Sequence, residues 1–185
     1  MSDSVEKPAR EKPARKLPRK VTPAYLQRAA MAYLERYASS SEQLRRVLIR
    51  KVANRCRLRG DDAAEFRDAI DEVVAKSLRV GLVDDARYAQ ARVATLRRRG
   101  GSARAIQAKL SVKGVDRQTI AAALEGEDDD EENAARAFAR RRRLGPFRVG
   151  ERLAYRDKDM AAMGRAGFGY ALAKRVIAGE GEPEG

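Results

Sequence analysis

Histidine and tryptophan are missing from the 185-residue sequence, and cysteine occurs once, at Cys56. With no histidine and a single thiol, the usual zinc sites are excluded and no internal disulfide can form. Cys56 lies in "NRCRLR", where arginine neighbours lower a thiol pKa. No base accompanies it, so it reads as an ordinary helix residue. Aromatic residues make up only 5% of the chain, which leaves the core to Leu, Ile, Val, Ala and Met. No apolar run approaches the ~18 residues of a membrane span. The N-terminal charges lead into no apolar stretch, so a signal peptide is not expected. The chain is therefore expected to be soluble and cytoplasmic.

Charge is plentiful. Charged residues reach 36% with a net charge of +13, and the isoelectric point is about 10.3. Such a density suits thin helical architectures better than a sphere, and the excess points to an anionic partner.

Residues 1–21 form a basic tail. Its opening "MSDSVEKPAREKPARKLPRK" holds three prolines and seven basic residues, so disorder is expected. From residue 22 onward almost every segment has helical periodicity, and no stretch alternates with period two. "AYLQRAAMAYLERY" gives a first helix, and Ser40 is placed to cap a second that ends at Gly60. Asp62 caps a third, closed by Gly81. Asp84 then caps a helix whose Val83 and Tyr88 have the spacing of a hydrophobic staple. Its inner face carries Ala89, Val93 and Leu96. Ser102 caps a helix with Ile106 and Leu110 inward, ended by Gly114. Asp116 caps the next, with Val115 stapled to Ile120.

These pieces repeat. A shift of 62 puts Leu34 on Leu96, Ser40 on Ser102, Leu44 on Ile106 and Leu48 on Leu110. A fainter third copy emerges at a shift of 45, with Ala89 on Ala134, Val93 on Phe138 and Gly100 on Gly145. After an insertion around "RVGERLAY", a shift of 53 puts Leu110 on Met163 and Gly114 on Gly167. The expected fold is all-α, with three tandem three-helix repeats forming a short, elongated, curved solenoid. The repeats are placed at 22–83, 84–125 and 133–179. An acidic linker spans 126–132, and a short disordered tail spans 180–185.

The catalytic inventory is thin. "GRAGFG" at 164–169 has no strand before it and no Lys-Ser/Thr ending, so Gly167 reads as a helix stop and not as part of a phosphate loop. "EGEDDDEE" at 125–132 concentrates seven carboxylates but lacks the alternation and central glycine of a calcium loop. It reads as a solvated linker before a helix beginning near Asn133. There is no nucleophile–base pair. Neither enzyme activity nor a cofactor is expected.

The basic residues are distributed unevenly. Arg87, Arg92, Arg97, Arg98, Arg99, Arg104, Lys109 and Lys113 form a block without one acid. Arg140, Arg141, Arg142, Arg143 and Arg148 cluster at the equivalent corner of the third repeat. Adjacent corners carrying guanidinium forks suit phosphates or carboxylates. Tyr88, Phe138 and Phe147 are the only aromatics among them, which gives base stacking little support.

"SEQLRRVLIRK", "VGLVDDARYAQARV" and "RRRGGSARAIQAKLSVKGVDRQTIAAAL" resemble the RecX family of bacterial recombination regulators, and the likeness covers roughly residues 24–178. The closing "RDKDMAAMGRAGFGYALAKRVI" looks like the divergent third repeat of alphaproteobacterial members. The long basic tail and the acidic linker depart from the wider family. The resemblance implies a regulator that lodges in the RecA recombinase filament on single-stranded DNA. It also implies inhibition of that filament's ATPase, strand exchange and coprotease activities. The family supplies no catalytic motif. A direct nucleic-acid-binding helical module is the alternative, since three-helix units with Arg corners can dock on DNA.

Overall fold

The computed structural model describes residues 17–125 and 128–180. The rest of the N-terminal tail and of the C-terminal tail, together with the first two linker positions, lies outside the described residues. Nine α-helices and no strand are present among those described. They are α1 (Pro23–Leu34), α2 (Ser41–Arg59), α3 (Arg67–Arg79), α4 (Asp85–Arg98), α5 (Ala103–Val112), α6 (Arg117–Leu124), α7 (Asp128–Arg142), α8 (Arg152–Arg165) and α9 (Tyr170–Ala178).

Local chemistry sets most of the boundaries. The side chains of Thr22, Ser40, Asp84, Ser102 and Asp116 each accept the backbone N–H three residues on, which satisfies a donor that the first turn leaves orphaned. Asp62 caps a single 3₁₀ turn, Ala63–Phe66, that leads into α3. Val115 is buried in one apolar cluster with Ile120, as its staple requires, whereas Val83 is buried among residues of α1–α3 while Tyr88 packs on the cluster of α4–α6.

Three separate apolar cores result. The first unites α1, α2 and α3 around Leu26, Leu44, Leu48, Val52 and Ile70, and it includes Cys56. Burial there pushes the Cys56 thiol pKa up, which suits a packing residue and not a nucleophile. The second core, within α4–α6, holds Ala89, Val93, Leu96, Ile106, Leu110, Val115 and Ile120. The third, within α7–α9, is built on Ala135, Met163, Phe168 and Val176. Burying one such aliphatic side chain is worth about 1.5–3 kcal/mol. A core of seven residues is thus small, and its unit depends on its neighbours.

The units meet through the same joint twice. Ser40 Oγ, already accepting from Gln43 N, donates to Lys113 O at 2.5 Å. Ser102 Oγ, already accepting from Ala105 N, donates to Ala166 O at 2.6 Å. Beside the first, Asp85 accepts from Ser41 N and Oγ at 2.8 and 2.5 Å. Beside the second, Glu131 accepts from Ala103 N and pairs with Arg97. A serine thus caps the second helix of one unit and grips the end of the second helix of the next.

Three details differ from the sequence expectations. Leu17–Val21, expected to belong to a disordered tail, lie along α2, where Arg55 and Arg59 donate to the carbonyls of Arg19 and Pro18. Val21 is buried in the first core. The acidic linker is helical from Asp128, five residues before Asn133. Carboxylates favour the positive end of a helix, and here Glu132 also accepts from Arg136 and from Arg175 of α9. Those two guanidiniums hold the Glu132 pKa below the usual carboxylate range. Finally, the closing position of α7 is taken by Arg143 at φ 53°, not by Gly145. Leu144 N bonds to Ala139 O there, the bond that Gly101 N makes to Leu96 O after α4.

Candidate anion-binding surface

The helix-end corner of α4 and that of α7 lie side by side. Arg141 Nη1 donates to Arg99 O at 2.6 Å, and Gly100 rests on the backbone of α7. A Cβ on Gly100 would sit 2.6 Å from Phe138 N. The contact brings Arg98 and Arg99 into one neighbourhood with the Arg140–Arg143 cluster. The remaining residues of the block, Arg87, Arg92, Arg104, Lys109 and Lys113, are exposed along α4 and α5.

Not all of these cations face solvent. Arg97 is half-buried, paired with Glu131 and bonded to Gly101 O, so it holds the joint. Arg148 is committed to Asp159, a carboxylate 1% exposed that also accepts from Gly145 N at 2.8 Å. Burial on its own would raise the Asp159 pKa. The Arg148 guanidinium and the Gly145 N–H outweigh it and hold the carboxyl below its ordinary value. Arg140 lies over the Phe147 ring with its guanidinium carbon 5.0 Å from the centroid. Arg141 is anchored by the Arg99 carbonyl. Arg98, Arg99, Arg104, Arg142 and Arg143 extend outward with no ion pair among the described residues.

Two of the aromatics near the corners, Phe138 and Tyr88, face inward. Phe138 packs on Phe168 at 5.6 Å between centroids within the third core. Tyr88 packs against the second core. What the corner offers an anion is charge and hydrogen-bond donors, and its one well-exposed ring among the described residues, Tyr155, is covered by Arg148 at 4.4 Å. Sequence reasoning missed the two carboxylates, Glu131 and Asp159, that take Arg97 and Arg148 out of the exposed set. It also missed the exposed pair Arg152 and Arg156 on the first turns of α8. Spacing carries no signal for the pairings of Arg97 with Glu131 and of Arg148 with Asp159, because each joins separate elements.

Among the described residues no cluster of His, Cys, Asp and Glu has the makings of a metal site. Nor is any helix among the described residues long and apolar enough to cross a membrane. What fold and surface define is a tandem helical-repeat protein with an arginine-rich exposed edge. Comparison with known proteins makes this specific. The family description "RecX, second three-helix domain" matches residues 84–124. The Regulatory protein RecX of Myxococcus xanthus is 44% identical over 163 residues, covering 86% of this chain and 87% of the relative. That of Agrobacterium fabrum is 31% identical, covering 84% and 83%. That of Thermobifida fusca is 35% identical, covering 80% and 82%. The chain belongs to the RecX family. No solved structure matches it.

Proposed function

We propose that the chain binds the RecA recombinase filament assembled on single-stranded DNA and inhibits its ATPase, strand exchange and coprotease activities. It acts in the cytoplasm, as a monomer and without a cofactor. The likeness to relatives known as Regulatory protein RecX supports the regulatory role. The observation that carries the anionic contact is the pairing of the two arginine corners through Arg141 and the Arg99 carbonyl. It gathers outward guanidiniums from two repeats onto one edge, where acidic recombinase surface or DNA phosphate can be gripped bidentately. Inhibition follows only to the extent that the protein binds one filament state better than another.

ATP hydrolysis by the host recombinase on single-stranded DNA, with this protein far below one per recombinase subunit, is the direct test. Strong inhibition at ratios too low to coat the DNA is the expected result. Inhibition that starts only when the DNA is saturated, and that disappears with salt at a slope of about 0.7 per phosphate contacted, would instead mark a nucleic-acid-binding module. Replacing Arg98, Arg99 and Arg142 by Ala is expected to raise the half-inhibitory concentration about tenfold, equivalent to about 1.4 kcal/mol. Arg97→Ala acts differently, by lowering stability, because Glu131 loses its partner.

A further inference from the structure

Away from the arginine corner, three depressions run across the joint between the first and second units and share lining residues. The first, of about 150 Å³ between α1 and α3, is lined by Ala30, Met31, Val73, Val80 and Leu82, with Lys76 its only charge. The second, of about 290 Å³ where α3 hands over to α4, takes in Leu82 again, with Tyr88, Arg87 and Arg92. The third, of about 340 Å³ between α4 and α5, has Leu96, Leu110 and Val112 as its floor and Arg92, Lys109 and Lys113 as its rim. Leu82 thus belongs to the first two and Arg92 to the last two.

The result is a trough with graded chemistry, largely apolar at one end and an aliphatic floor under a cationic rim at the other. Exposed aliphatic carbon is present at both ends, with Val80 59%, Leu82 47% and Val112 69% exposed. The sole carboxylate along it, Asp84, is occupied as a cap by Arg87 N at 2.9 Å. Arg92 and Lys109 make no ion pair among the described residues. The joint beneath, Ser40 to Lys113 O and Arg46 to Val112 O, fixes the two halves relative to each other.

We infer that this trough is a docking groove for an acidic protein segment with aliphatic anchors at one end. The segment comes from the recombinase, so the inference rests on the filament reading above. Charge complementarity selects an acidic occupant, and the aliphatic floor selects a polypeptide. A nucleic acid would bury Met31, Val80 and Leu82 against sugar and base without an open aromatic face to stack on. Tyr88, the one aromatic in the trough, packs its ring on the second core. A second copy of this chain, at +13 overall, meets like charge. The two larger depressions match the lower end of ligand-pocket volumes, about 300 Å³, enough for one or two anchoring side chains each.

Photo-crosslinking tests this directly. A benzophenone amino acid replaces Leu82 or Val112, both exposed, in the full-length protein bound to recombinase filaments on single-stranded DNA. Co-sedimentation establishes binding before irradiation. Adducts from both positions are expected on one acidic recombinase segment, with the aliphatic residues at the Leu82 end. Arg92→Glu combined with Lys109→Glu is expected to raise half-saturation about tenfold with an unchanged thermal melt. Failure of the unsubstituted protein to co-sediment overturns the filament reading and this inference together. Co-sedimentation with adducts on DNA, on a second copy of this chain or on non-acidic recombinase surface overturns the trough alone. So does co-sedimentation with no adducts.

Discussion

Arg143 holds the left-handed conformation that ends α7, a position usually given to glycine. An L-residue there costs about 1–2 kcal/mol. Arg143→Gly is therefore expected to raise the stability of the chain by up to about 1 kcal/mol in a denaturant melt while weakening filament inhibition. A stability gain bought with lost inhibition would identify Arg143 as kept for its charge. Asp159 makes a second residue-scale prediction. Its pKa is depressed when folded, so its stabilising contribution is complete above the unfolded Asp value of about 3.9 and disappears as pH falls through the folded value. Glu132 behaves alike. Melts between pH 6 and pH 2 are expected to show the third unit weakening in acid, and Asp159→Asn to flatten that dependence while lowering stability at pH 6. Neither the role of Asp159 nor the left-handed backbone of Arg143 was legible in the sequence. The Asp159 carboxylate becomes important only when α8 packs beneath Gly145 and Arg148, and no spacing rule reports a strained arginine.

At the scale of elements the sequence was far more informative, because caps and staples act over three to five residues. Ser40, Asp84, Ser102 and Asp116 all cap where local chemistry places them. The beginning of α7 differs from the expectation because seven carboxylates in eight residues look solvated until Glu131 and Glu132 find arginines on α4 and α9. The choice of serine at the two joints has its own logic. An aspartate caps equally well but cannot donate, and each joint needs a donor to a carbonyl. Ser102→Ala is expected to cost about 1 kcal/mol for the cap and about 1–3 kcal/mol more for the unsatisfied Ala166 carbonyl. Ser102→Asp, with its carboxylate facing that carbonyl, is expected to do no better, measured by urea unfolding. Gly100→Ala combines a positive φ of 75° with a clash on Phe138 backbone. It is expected to cost about 2–4 kcal/mol and to loosen the pairing of the arginine corners.

On the scale of the molecule, three small cores in series replace one large one. A compact chain of this length has a radius of gyration of about 16 Å, and small-angle scattering is expected to give a larger value. A result at or below 16 Å would contradict a solenoid. The sequence announced the serial arrangement through its offset of 62, which superposes caps and inner residues of the first two units. It announced the third poorly, since the insertion before α8 and the early closure of α7 each change the offset. The repeated joint also bears on what the molecule cannot become. Its donor end needs a capping serine, and α8 begins after Glu151 with no side-chain cap. Its acceptor end needs a helix terminus where Lys113 has one, and the matching residue of the first unit, Lys51, lies inside the longer α2. Among the described residues neither extremity offers this joint to a further repeat, so the stacking that the joint builds stops at three units. Three units joined in this way make a span of set length, as the marks on a ruler do.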